Sequence, residues 1–196
     1  MNKPKKSGPA IFMHSVIGLT LIISIICFYI YYNIINDSKI ILWTGIVCFT
    51  IMYHFWVRII MGNVSKLFKK HINYKQGLFK ERKFEKNLYE LLKVKDWKDK
   101  ALTYNPESFS LKKHSLEEIA NTMAKSEIDH WINEAISVST LLFAIPWGAF
   151  WAFFISALAA MIFDSQFIII QRYNRPRIVK LLEREDKRTE KASVLT

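Results

Sequence analysis

Apolar positions along the chain gather into three long blocks. Ala10–Ile35 carries no charged residue, Ile40–Met61 carries only Arg58 near its end, and Ala135–Tyr173 runs 39 residues with only Asp164 and Arg172 charged. A helix rises ~1.5 Å per residue, so about 20 apolar residues cross a bilayer core of ~30 Å. The first two blocks each predict one transmembrane helix. The third is long enough for two spans turning near Pro146-Trp147-Gly148, or for one long kinked span. Between the second and third blocks, Leu116, Ile119, Met123, Ile128 and Trp131 recur at helical spacing, and Ser115 with Glu118 three residues on forms a capping box. That helix is expected to run directly into the third block. The pattern gives an all-α integral membrane protein of about four transmembrane helices. Its parts are an N-terminal helix pair over 1–61, a helical segment over 62–134, a transmembrane hairpin over 135–173 and a tail over 174–196.

Charge orients this arrangement. The 196 residues are 51% apolar and 14% aromatic, yet hold 28 Lys+Arg against 17 Asp+Glu, a net charge of +11. A nucleic-acid binder with a basic groove-reading face is excluded, because the positive charge lies beside membrane spans. Lys66 to Lys113 hold 14 basic and 6 acidic residues. The N-terminus has Lys3, Lys5 and Lys6, and the tail adds Arg175, Arg177, Lys180, Arg184, Lys187, Arg188 and Lys191. Lys and Arg accumulate on the cytoplasmic side, which places both termini and the long polar segment there in a multi-pass cell-membrane protein. The first apolar run is too long for a signal peptide and lacks a small-residue cleavage site, so it reads as a retained anchor. Phe79, Phe84, Tyr89, Trp97, Tyr104 and Phe109 stud the basic segment, which is therefore expected to fold at the membrane interface. Cys27 and Cys48 fall within spans and read as packing residues.

Several side chains carry candidate chemistry. Gly148, Ala152, Ser156 and Ala160 share a four-residue repeat that continues to Asp164. Small residues let helices approach closely in lipid, and a carboxylate at that depth is either functional or a hydrogen-bonded packing group. Glu127 and His130 lie three apart, so the carboxylate can orient the imidazole as a general base, with Glu134 one turn further on. The alternative for His130 is interfacial packing. His54 and Arg58 share a face of the second span. Arg58 there either snorkels to the headgroups or, with His54, contacts a lipid phosphate or acyl donor. Ser137 and Ser139 are nucleophiles in principle, though hydroxyls in spans usually bond to backbone. No metal site is read, because His54, His71 and His114 show no ligand spacing. At the exit of the last block stands Gln171-Arg172-Tyr173-Asn174-Arg175-Pro176-Arg177. Pro176 is expected to bend the chain, leaving three guanidiniums to grip phosphate or carboxylate.

The C-terminal third, from Glu127-x-x-His130-Trp131-Ile132 to that heptapeptide, resembles the glycosyl-diaponeurosporenoate acyltransferase family of staphyloxanthin-type carotenoid biosynthesis. Phe84-Glu85-Lys86 and Trp97-Lys98-Asp99-Lys100 match more weakly, so the resemblance spans roughly 79–184. The sequence departs from the family pattern where Ala101-Leu102 follows the Trp-Lys segment, and His54 and Arg58 have no counterpart in it. The resemblance implies a bacterial membrane enzyme that transfers a fatty acyl group to a lipid-linked hydroxyl, a carotenoid glycoside being one acceptor.

The resulting expectation is an O-acyltransferase with Glu127 and His130 catalytic. Arg172, Asn174, Arg175, Arg177, Trp131, Trp97, Asp164, His54 and Arg58 are expected to contact substrate. An acyl-CoA or acyl-carrier-protein thioester is the expected donor and a lipid or glycolipid the acceptor, with membrane lipids as surroundings, no nucleic acid and no cofactor or metal. The alternatives are a non-catalytic membrane partner subunit, bound through the small-residue stripe, and another small lipid- or isoprenoid-modifying transferase.

Overall fold

A computed structural model describes residues 8–101 and 106–194, so Lys3, Lys5, Lys6 and Tyr104 lie outside the described residues. The regular secondary structure of the described residues is all helical, with no strand among them. The helices are α1 (Gly8–Asn33), α2 (Lys39–Phe68), α3 (Glu85–Leu91), α4 (Val94–Trp97), α5 (Leu116–Ser139), α6 (Ala144–Trp147) and α7 (Phe150–Val194). Three of them, α1, α2 and α7, are long and apolar enough to cross a membrane.

The capping box forms at the start of α5. The Ser115 amide donates to Glu118 Oε2 at 3.0 Å, and the Glu118 amide donates to Ser115 Oγ at 3.2 Å. The first of these bonds holds the Glu118 carboxyl below its ordinary range. The helix then continues past Trp131 to Ser139 as the spacing implies. A 3₁₀ turn over Thr140–Phe143 leads into α6, which ends at Gly148 with φ 65°. That left-handed cap, with the Gly148 amide donating to the Ala144 carbonyl at 2.7 Å, is where the third apolar block turns.

The chain divides into two compact units, Met1–Asn63 with Ile132–Phe163, and Val64–Trp131 with Asp164–Thr196. In the first unit Ile46, Ala149 and Phe153 form a core. Trp147 stacks on Phe28 at 5.5 Å and on Phe153 at 5.9 Å, so the turn and the start of α7 pack on α1 and α2. Most side chains of α1 are exposed, as suits a helix facing lipid. Where α1 does meet α2, Ser24 Oγ donates to the Gly45 carbonyl at 3.2 Å. A Cβ at Gly45 would meet Phe28 at 3.0 Å and Cys27 at 3.2 Å.

The core of the second unit consists of Tyr74, Phe79, Ala120 and Ala124, joined by Ile128 of α5 and Ile178, Val179 and Leu182 of α7. Two corrections to the sequence reading arise on α7. Pro176 does not end the helix but lies inside a continuous 45-residue one. A proline inside a helix costs ~3 kcal/mol, and here residues on both sides of it are anchored, Arg175 by ion pairs and Ile178 to Leu182 by the core. The small-residue stripe also drifts. Each four-residue step overshoots a helical turn by ~40°, so the buried face runs through Phe153, Ala157, Ala160, Asp164, Ile168, Gln171 and Arg175, leaving Ala152 and Ser156 half-buried.

Gly45→Leu is expected to lower the thermal midpoint of the detergent-solubilised protein, at a cost of about 1–3 kcal/mol of overpacking. Gly18→Leu, where an added Cβ meets nothing within 4 Å, is expected to leave it unchanged.

Candidate functional site

Two constellations of polar side chains are buried in the second unit. The first joins the two weaker and stronger motif segments. Glu85 opens α3, Glu127 sits on α5, and Arg172 and Arg175 sit on α7, one turn apart. Arg172 Nε and Nη2 donate to Glu85 Oε1 at 3.0 and 2.5 Å, and Nη1 donates to Glu127 Oε1 at 2.5 Å. Its remaining N–H groups reach the carbonyls of Leu78 and Lys80, both at 3.2 Å, so all five donors are used. Arg175 Nη1 donates to Glu127 Oε2 at 2.6 Å and Nη2 to the Phe79 carbonyl at 2.9 Å, with the guanidinium 4.9 Å over the Phe79 ring. Tyr89 adds its hydroxyl to Glu85 Oε2 at 2.8 Å, and burial together with that bond pushes the phenol well above its ordinary range. Glu85, Glu127 and Arg175 are each 3% exposed or less.

This network corrects two expectations. Glu127 does not orient His130, because both of its oxygens are held by arginines. Arg172 and Arg175 are not open to a substrate phosphate, because all the N–H groups of Arg172 are taken by carboxylates and carbonyls and Arg175, 2% exposed, is buried with both Nη atoms so bonded and its Nε left without a partner. Two guanidiniums opposite two carboxylates make a node that is neutral overall, which is how such charges survive burial. Arg177 is exposed and lies over the Tyr173 ring at 3.6 Å, with Nη1 donating to the Tyr173 carbonyl at 2.5 Å. Asn174 is half-buried within α7.

The second constellation contains the imidazole. His130 Nδ1 lies 2.8 Å from Asp164 Oδ1, and the ring stacks on Phe167 with centroids 4.7 Å apart. Asp164 is fully buried, whereas the His130 side chain is 20% exposed. Its Nε2 meets no hydrogen-bond partner among the described residues. On the same helix Lys125 Nζ donates to Asp129 Oδ2 at 2.5 Å and to Ser65 Oγ at 2.7 Å. Trp131 is half exposed, and Trp97 is half-buried with Nε1 donating to the Leu92 carbonyl at 2.9 Å.

The remaining candidates belong to the first unit. His54 is buried with Nδ1 3.4 Å from Ser137 Oγ. Arg58 does not snorkel: Nη1 donates to the His54 carbonyl at 2.6 Å and Nη2 to the Ala160 carbonyl at 3.3 Å, with the guanidinium 5.6 Å over Phe163. Backbone carbonyls within reach of a span are better partners than distant headgroups for a charge in a low dielectric. Glu134 is buried in this unit, and Ser139 Oγ bonds the Ile136 carbonyl at 2.6 Å.

Comparison with known families places these residues. The family model described as glycosyl-4,4'-diaponeurosporenoate acyltransferase matches residues 75–184. The chain belongs to this family. Both buried constellations lie within the matched stretch, and the family name is that of an acyltransferase of carotenoid biosynthesis. Searches among curated proteins and among solved structures gave no match.

The sequence reading undervalued Glu85 and Tyr89. A buried arginine requires carboxylates, and Glu85, within the quoted Phe84-Glu85-Lys86 segment, was the available one. Glu127→Ala is expected to cost about 3–5 kcal/mol by leaving buried guanidinium charge uncompensated. Glu127→Gln is expected to retain part of that stability, and chemical denaturation in detergent followed by circular dichroism separates the two.

Proposed function

We propose that the protein is a membrane-embedded O-acyltransferase in which His130, oriented by Asp164, is the general base. The observation that carries this reading is the 2.8 Å contact between His130 Nδ1 and the buried Asp164 carboxylate. With the carboxylate accepting, the ring proton resides on Nδ1 and the lone pair on Nε2. Nε2 takes the proton of an acceptor hydroxyl as its oxygen attacks the carbonyl carbon of an acyl thioester. The C–S bond then breaks, the sulfur leaves with the proton returned by His130, and an ester and a thiol remain. Asp164 stabilises the imidazolium between these steps, as carboxylate partners of catalytic histidines do. Stacking on Phe167 limits the ring's rotation, so the same nitrogen is presented throughout. The acceptor is a lipid-linked sugar hydroxyl, a carotenoid glycoside by family, and the donor is an acyl thioester delivered from the cytoplasm.

The membrane arrangement proposed with this chemistry has four crossings, both termini and the Val64–Trp131 segment being cytoplasmic. Ala135 to Trp147 forms the short arm of a hairpin with α7, turning at Gly148. The basic residues adjoining the spans and the charge-free turn support it.

Two measurements test these statements. In cells expressing equal membrane levels, His130→Ala is expected to remove a lipid species heavier by one fatty acyl group, seen by mass spectrometry of extracts. Asp164→Asn should lower turnover by about 10²–10⁴ while the protein remains inserted. Normal product from His130→Ala would sink the mechanism. For the topology, a cysteine at Ile145, 81% exposed beside the turn, is expected to react with an impermeant thiol reagent outside intact cells in a Cys27/Cys48→Ser background. A cysteine at Lys75 should react only after lysis, and the opposite pattern would invert the orientation.

A further inference from the structure

With Arg172 saturated by internal partners and Arg175 buried against Glu127 and Phe79, the phosphate-binding role expected of the exit motif needs another location. An open cleft of about 510 Å³ lies against α3, α4 and the Tyr173–Lys180 stretch of α7. Lys86, Lys93, Lys95, Arg177 and Lys180 line it, and among the described residues none of these five cations forms an ion pair with a carboxylate. Glu81, Glu90 and Asp96 also reach the cleft, which leaves two positive charges in excess. Its volume falls in the range of small-molecule sites.

Two details indicate a built site rather than a solvated basic face. Lys93, between α3 and α4, has φ 49° and ψ 43°, and it is the only non-glycine residue with positive φ among the described residues. This left-handed residue follows the C-cap of α3 and turns the chain into α4, so that Lys86 of α3 and Lys95 of α4 line one cleft. Arg177 is held over Tyr173, which presents a planar guanidinium suited to bidentate phosphate contacts, while Tyr173 itself packs edge-on against Tyr89 at 5.3 Å.

We propose that this cleft receives the phosphorylated nucleotide end of a coenzyme A thioester. The inference rests on the acyl-thioester reading above and names the donor. Tyr173 to Lys180 lie nine to sixteen residues beyond Asp164 on one helix, or about 14–24 Å along its axis. A ligand that serves both places therefore carries its phosphates and its reactive carbonyl at opposite ends of a long arm. Coenzyme A thioesters have that form, whereas an acyl phospholipid presents its phosphate beside its esters.

The test uses the full chain in phosphatidylcholine nanodiscs, with unacylated coenzyme A as the probe. Binding that is weakened at high salt, competed by 3′-phospho-ADP and reduced for dephospho-coenzyme A is expected. Lys93→Glu with Lys180→Glu should weaken it at least tenfold and raise the donor KM correspondingly, with the loss recovered at saturating donor. If that pair does not fold, Lys86→Gln with Lys180→Gln replaces it. No binding by the wild type, binding indifferent to charge reversal, or displacement by phosphatidylglycerol but not by 3′-phospho-ADP would each overturn the proposal. Transfer that proceeds only from an acyl-carrier protein would overturn it too. Charge-sensitive coenzyme A binding without acyl transfer would keep the cleft and sink the enzymatic reading. Transfer from acyl-CoA with an unchanged donor KM in the variants would do the reverse.

Discussion

A buried carboxylate requires a counter-charge, and Glu127 has two. Arg172 and Arg175 hold its separate oxygens, and Arg172 turns its other donors to Glu85 and to the carbonyls of the 78–80 loop. Four elements of the second unit thereby meet at one point: the 3₁₀ turn over Gly77–Phe79, α3, α5 and α7. The apolar core beside the node is small, and two of its four fully packed members are alanines. Hydrophobic burial on that scale supplies little directional information, so the register of α5 against α7 is set by the ion pairs. Arginine suits this task because its fork bonds several acceptors at fixed angles, which lysine cannot do.

The same register brings His130 to Asp164. Their contact lies on the two helices that carry Glu127 and Arg175, and both helices run antiparallel within this unit, since later residues of α5 meet earlier residues of α7. The two carboxylates thus take separate partners, although only Glu127 was near the histidine by spacing. Glu127 sets the helix pair and Asp164 faces the imidazole. The cleft lined by Lys93 and Arg177 uses the opposite strategy, keeping cations unpaired with any carboxylate where the node pairs each of its guanidiniums.

The helices were legible wherever a local rule governs them. Three apolar blocks marked α1, α2 and the membrane part of α7, the Ser115–Glu118 box marked the start of α5, and Gly148 marked the turn. Each of these depends on residues within a few positions of one another. What was not legible depends on pairing at a distance. Glu127 and His130 are neighbours on a helix face by spacing, but the stronger attraction of two arginines 45 and 48 residues away claims the carboxylate. Arg58 and Pro176 show the same effect, since tertiary partners override snorkelling in one case and helix breaking in the other. The family resemblance identified the right segments, while the physical task of its Arg residues emerged only with their partners in place.

The spacing of the node along the chain also orders its assembly. Glu85 leaves the ribosome 87 residues before Arg172, and Glu127 leaves 45 residues before it. Until then neither carboxylate has its counter-ion, and desolvating either would be costly. The segment bearing them must therefore stay hydrated until α7 has been made. Closure of the second unit waits for α7, which brings both guanidiniums to Glu127 together.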